Sequence, residues 1–307
     1  MRASLVSSAL LSLLCGSAAR AEFVSLGSAG RGGLNLGVFV TGPTTMNASN
    51  SGTTFNTNLG LASGAGTNFS GGGTLTGNLY LDPGASLQSN FNSQFNVGGS
   101  ITPISLATAV MDVKNAASTA AALAPNATYG AVGSSALTLN STGSINSLGG
   151  HDTVVQLSSI NITNPANNLT ISGGANDYFV INVLGSITVS NGQIQLTGGI
   201  TASNVLFNVL GSGVTMSNGS SVLNGTFLAP NAGQKITLAP GTVNGAIIAY
   251  QIQTSSGPKV NGSPFAPPPP PEPPCPPTNP VPAPAGLLLG LFGAACAVGA
   301  NIRRRAC

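Results

Sequence analysis

The chain has 307 residues, of which only 5% are charged, against ~25% in ordinary domains, and 42 are glycine. Its 42% hydrophobic content with so little charge excludes a disordered chain, which needs the opposite balance. Between Glu22 and Ala285, Arg31, Lys114, Lys235 and Lys259 stand against six acids, so no basic surface remains for nucleic acid.

The first 21 residues read as a secretory signal. Arg2 supplies the positive n-region, Ala3 to Leu14 a short apolar core, and Ala19-Arg20-Ala21 a small-x-small cleavage site. Cutting after Ala21 makes Glu22 the new N-terminus. Cys15 invites a lipoprotein reading, but bulky Leu14 stands where such a signal wants a small residue. An exported protein can form disulfides, yet only Cys275 lies between Glu22 and Ala285. Packing and backbone hydrogen bonds must therefore hold the fold.

Residues 22–265 form the expected folded body, read as one domain. A glycine-rich β region (23–101) comes first. An alanine-rich stretch follows, predicted as a helix over 103–124 on the solenoid flank, with Thr102 as N-cap, Pro103 in the first turn and Pro125 forbidding continuation.

Regular coils occupy 136–265. Asn182-Val183-Leu184-Gly185-Ser186-Ile187-Thr188-Val189-Ser190 recurs as Asn208-Val209-Leu210-Gly211-Ser212-Gly213-Val214-Thr215-Met216-Ser217. Asn224-Gly225-Thr226-Phe227-Leu228-Ala229-Pro230 is echoed by Asn244-Gly245-Ala246-Ile247-Ile248-Ala249-Tyr250. Offsets of roughly 20 to 27 residues fall in the range of solenoid repeats, in which one coil cannot bury its apolar face alone. Short alternating strands such as Ile187-Thr188-Val189 send apolar residues one way and a polar residue the other. Asn-Gly and Gly-Ser pairs supply corners, because Gly and Asn tolerate positive φ. A β-sandwich would show hairpin spacing near 8–12 residues without the longer repeat. The expected fold is mainly β: a parallel β-solenoid with one flanking helix, and Ile187, Val189, Val214, Met216, Ile236 and Leu238 pointing inward.

The same register predicts an outward column of Thr188, Thr215 and Thr237, followed two residues later by Ser190, Ser217 and Ala239. Thr suits solvent-facing strand positions and stacks well across strands whatever its function. The functional reading is a flat Thr/Ser face for a repetitive target such as glycan, ice or a neighbouring molecule.

Catalysis has little to stand on. The one histidine, His151, sits beside Asp152 in a Gly-Gly-His-Asp stretch, read as a solvent-facing turn. Between Arg31 and Phe265 the acids are Asp82, Asp112, Asp152 and Asp177, in separated contexts. Carbohydrate-cleaving β-helices need clustered carboxylates, and calcium-binding glycine repeats need an Asp in every coil. No catalytic, cofactor or metal site is expected.

A proline-rich spacer (266–284) leads to an uncharged apolar run, Ala285 to Ala300, and then to Arg303-Arg304-Arg305. As a helix the run spans roughly 24 Å, marginal for a ~30 Å hydrocarbon core, and the arginines would hold its end on the cytoplasmic side. Segment 285–307 is therefore expected to be a transmembrane helix with a basic tail. Spacer, Pro282-Ala283-Pro284, apolar run and terminal arginines resemble the PEP-CTERM sorting signal of bacteria. Pro271-Glu272-Pro273 lies upstream rather than beside the run. The resemblance implies an exosortase-type membrane protease as partner and the cell envelope, surface or matrix as destination.

The body carries a second resemblance. Leu36-Gly37-Val38-Phe39-Val40, the Ala-rich helix and Ala202-Ser203-Asn204-Val205-Leu206-Phe207-Asn208 are similar to the choice-of-anchor A family of bacterial surface proteins. So are Gly225 to Ala232, Val243 to Ala249 and the closing Pro264-Phe265. The resemblance implies a β-solenoid like that of ice-binding-type adhesins and a non-catalytic adhesive role toward a surface, glycan or matrix ligand. An ice- or glycan-binding module is the second class, and a degenerate carbohydrate enzyme the third. Irregular threonines count against ice, and sparse carboxylates against the enzyme.

Overall fold

The computed structural model describes residues 24–49, 52–262 and 264–266. All lie in one compact unit, Met1–Pro270. Ala19, Ala21, Pro282, Pro284, Arg303, Arg304 and Arg305, and with them the signal, spacer and membrane segments, lie outside the described residues. Among the described residues no helix is long and apolar enough to cross a membrane.

Strands pair side by side in parallel through Gly185–Tyr250, as the repeat offsets require. Among the described residues one short antiparallel pairing, Ser144–Ile145 against His151–Asp152, lies outside that stretch. The coils do not stack in chain order. Ala127–Val132 lies at one end, followed by His151–Ile162, Tyr178–Val183, Val205–Val209, Val222–Ala229 and Thr242–Ala249. The next rung is the N-terminal strand Leu36–Val40, and Asn58–Leu61, Leu79–Leu81 and Ile101–Pro103 complete the stack. The two β regions flanking the helix are thus halves of one solenoid, closed on each other through Val38 and Ile247.

This order leaves the chain at the wrong end after Pro103, and the helix Ala107–Ala122 carries it back. Its 16 residues span roughly 24 Å beside the coils. It starts four residues later than predicted. Pro103 ends a strand, Thr102 caps nothing, and the N–H of Leu106 donates instead to the Asp82 carboxylate at 2.9 Å. A carboxylate there complements the helix dipole. Asp82 also holds its own turn, accepting from Gly84 N–H at 3.2 Å.

The buried helix face is Leu106, Ala109, Val113, Ala116, Ala117 and Ala120. Mostly methyl groups, it lets the helix lie close against outward residues Val180, Leu206, Leu228 and Ile248, all 0% exposed. Each such side chain contributes about 1.5–3 kcal/mol by leaving water. The asparagines that open the first repeated motif, Asn182 and Asn208, belong to this contact. Asn182 donates to Ala120 O at 2.6 Å and Asn208 to Ala117 O at 3.0 Å, taking up carbonyls near the helix C-terminus. Asn208 also donates to Asn182 Oδ1 at 2.8 Å.

Inside the coils Ile187, Val189, Val214, Met216, Ile236 and Leu238 are buried as expected. The corner glycines serve two different needs. Gly245 has φ 130°, and a Cβ there would lie 2.1 Å from the carbonyl oxygen of Gly225. At the Gly-Ser corners space decides, not φ: a Cβ on Gly211 would lie 2.4 Å from the carbonyl carbon of Gly185.

Candidate binding face

Beyond the helix-covered flank, the solenoid has two further faces that nothing covers among the described residues. On the first, Thr188, Thr215 and Thr237 stand in register on adjacent rungs. The column extends past them through Asn161 at one end and Gln253, Asn47 and Asn68 at the other. Alternation places these side chains outward, because their neighbours Val214, Met216, Ile236 and Leu238 fill the core. Rungs about 4.8 Å apart make a flat, evenly spaced array.

Ser190 and Ser217 hold equivalent places one step on. The N–H of Ser190 donates to Ile162 O, that of Ser217 to Val189 O and that of Ala239 to Met216 O. Ser255, Ser49 and Ser70 continue this second row. The row on the other side holds Gly213, Lys235, Gln251, Thr45 and Gly66. Lys235 is the one charge in these three rows, and none of its residues is acidic.

Among the described residues, no hydrogen bond engages the hydroxyls of Thr188, Thr215 or Thr237, which are left to solvent or a ligand. At the far end of the same column Asn68 donates to Asn47 Oδ1 at 3.1 Å, and on the second face such amide pairing runs through successive rungs. There Asn244 donates to Asn224 Oδ1 at 2.9 Å, Asn261 to Asn244 at 3.5 Å and Asn56 to Asn261 at 2.7 Å. That ladder spends its amides on itself. Such a ladder fixes strand register and leaves few groups for a partner.

His151 opens the strand His151–Ile162 rather than sitting in a turn. Its acidic neighbour is Asp177, with Nδ1 3.4 Å from Oδ1, while Asp152 accepts from Asn146 Nδ2 at 3.0 Å. Burial pushes the Asp177 carboxyl up, but the Gly174 N–H, the Ser141 hydroxyl and His151 together hold it below the ordinary value. The geometry is structural: the backbone N–H groups of His151 and Gly174 both donate to this carboxylate, at 2.7 Å each. The cluster ties the 141–152 loop to the turn at Gly174.

Sequence reasoning found three of the column's rungs and missed four. A detectable signal was present: a polar residue, one spacer and Ser recur in Asn47-Ala48-Ser49, Asn68-Phe69-Ser70, Gln253-Thr254-Ser255, Thr188-Val189-Ser190 and Thr215-Met216-Ser217. A search for threonine alone passes over the amide rungs.

The fold is shared with solved ice-binding proteins. The Arctic yeast ice-binding protein LeIBP matches with a TM-score of 0.54 at 19% identity, over 81% of this chain and 98% of that one. An ice-binding protein from an Antarctic Flavobacteriaceae bacterium matches with 0.53 at 19% identity, over 83% of this chain and 52% of that one. One from an Antarctic biological consortium gives 0.51 at 20%, over 77% and 90%. At such identity the likeness shows the fold alone. No curated protein matches the sequence. The family described as "Putative Ice-binding-like adhesive domain" matches residues 20–260, so the chain belongs to the ice-binding-like adhesive domain family.

Proposed function

We propose that this solenoid is a non-catalytic attachment module whose working surface is the Thr/Ser/Asn face of Thr188, Thr215 and Thr237. The observation that carries the reading is the column of in-register, unbonded hydroxyls on an uncovered, acid-free face. Hydroxyls and amides at even spacing suit a repetitive neutral target, of which a surface glycan or matrix polymer is the favoured class. Each contact is weak, and many copies on one cell reach useful strength by multivalency. The domain's family supports adhesion, and the choice-of-anchor A resemblance refines it.

Ice is the second reading, favoured by the shared fold and the threonine rungs. Lys235, Gln251 and Gln253 interrupt the array with long side chains and weigh against it. Export by the 1–21 signal and retention through 285–307, with an exosortase-type protease acting on the tail, complete the proposal. Mass spectrometry of surface protein tests that part: an intact Cys307 leaves a simple anchor instead of tail removal.

The functional test is a binding screen of the full-length chain in detergent against glycans, matrix proteins and ice, each at low and high salt. Saturable glycan or matrix binding that changes little with salt is the expected result, because one lysine contributes little that salt can screen. Turnover of a polysaccharide, or binding to ice alone, would overturn it.

A further inference from the structure

The two ends of the solenoid are finished differently. At the Ile101–Pro103 end, Phe91 and Phe95 are 2% and 3% exposed. Their rings lie 5.8 Å apart, and 5.5 and 4.6 Å respectively from that of Phe69, so that the three plug the core. The terminal strand there has three residues and ends in proline, which denies an incoming strand one N–H.

Among the described residues, the opposite end has no such plug. Its terminal strand, Ala127–Val132, is twice as long and pairs on one side only, with His151–Ile162. Ala127 and Tyr129 stand in register with core residues Val155 and Leu157, so they occupy inward positions. Yet Tyr129 is 37% exposed, and an open cavity of about 290 Å³ lies among Ala127, Tyr129, Leu139 and Val155. Ile145 and Leu148 add apolar surface, at 63% and 40% exposed. A free, uncharged edge of this length is the kind that natural proteins otherwise protect.

The occupant follows from what the chain can offer. The sequence directly after the described body is ill suited to complete the ladder. Ala266 is tied to Ser203 O at 2.9 Å, and the next five residues, Pro267 to Pro271, carry no N–H. Head-to-tail stacking meets the plugged, proline-ended strand. What remains is the same edge on another molecule. From Asn126 to Asn140 the sequence carries no charge, so two such edges approach without repulsion.

We infer that a second copy of this chain docks head-to-head through Ala127–Val132, the two edge strands pairing antiparallel about a two-fold axis. A register centred on Thr128 keeps inward positions on the inner side of both copies. It sets Tyr129 of each opposite the small Ala127 of the other, closing both cavities, and brings the exposed Thr128 hydroxyls together. Because the paired strands run in opposite directions, the dimer sets the two threonine faces on opposite sides, each open to its own ligand.

The test is analytical ultracentrifugation of the full-length chain in detergent, with Thr128→Lys, Ile101→Lys and Thr128→Cys variants. Wild type should show a monomer–dimer equilibrium. Thr128→Lys, at an exposed edge position where two ammonium groups would meet, should weaken it at least tenfold with unchanged thermal unfolding. Ile101→Lys, at the plugged end, should leave it intact. Thr128→Cys should give, under oxidation, a dimer cross-linked between the two introduced thiols and identified by peptide mapping, since opposed Cα atoms in such a pair lie within disulfide reach. A wild type that stays monomeric at every concentration overturns the inference. So does a dimer that survives Thr128→Lys or breaks with Ile101→Lys. Loss of glycan binding with the dimer intact would count against the proposed face and leave this interface standing.

Discussion

Two flanks of the same coils differ in what their outward residues do. On the helix side, strands such as Tyr178–Val183 and Val205–Val209 are buried at every position, because the outward residues Val180 and Leu206 meet the helix. On the threonine side, strands such as Lys235–Leu238 and Thr45–Ser49 alternate between core and surface. An unbroken apolar strand thus marks a covered flank, and an alternating one marks an open flank. Most open surfaces owe their solubility to charge. This one relies on hydroxyls and amides, which is why it is the candidate binding face.

The sharpest way to break the comparison is to place one charge at equivalent outward positions of neighbouring strands in a coil. Leu206→Asp buries a carboxylate under the helix and should cost about 4 kcal/mol or more, read as a large fall in unfolding midpoint. Thr215→Asp lies on the exposed rung and should change stability by less than about 0.5 kcal/mol. Equal costs would mean that the two flanks are not as different as the packing indicates.

Asn208→Ala sharpens the covered side. It leaves Ala117 O and Asn182 Oδ1 without their donor and should cost about 1–3 kcal/mol in chemical denaturation.

Asp177 gives a smaller effect with a pH signature. Its carboxyl is held below the ordinary value of 3.8, so its contribution is full above that pH and is lost as pH falls through the lower folded value. Asp177→Asn should cost about 1–2 kcal/mol at pH 7 and flatten the loss of stability below roughly pH 4. A variant with an unchanged acid limb would remove Asp177 from this account.

Much of this architecture was legible because it is periodic. Val214, Met216, Ile236 and Leu238 announce their direction through the two-residue alternation, and the coil length follows from the recurrence of Asn182 at Asn208. The stacking order was not legible. The pairing of Val38 with Ile247 is a contact across the whole body, and no local pattern encodes it. The amide rungs Asn47, Asn68 and Gln253 were hidden for the same reason, since they join the threonine column only once the N-terminal coils dock. The helix start escaped because its cap, Asp82, arrives from a distant turn rather than from the preceding residue.

The smallest expected change in stability comes with the largest expected change in function, and this contrast is the most direct test of the central claim. Cells displaying the full chain with Thr188, Thr215 and Thr237 all changed to Lys are compared with wild type for attachment to a glycan- or matrix-coated surface. A control carries Thr54→Lys and Thr242→Lys on the ladder face. The account predicts that attachment falls at least tenfold in the triple variant and stays near wild type in the control, with similar unfolding midpoints in both. Wild-type attachment by the triple variant would contradict it and place the binding surface elsewhere.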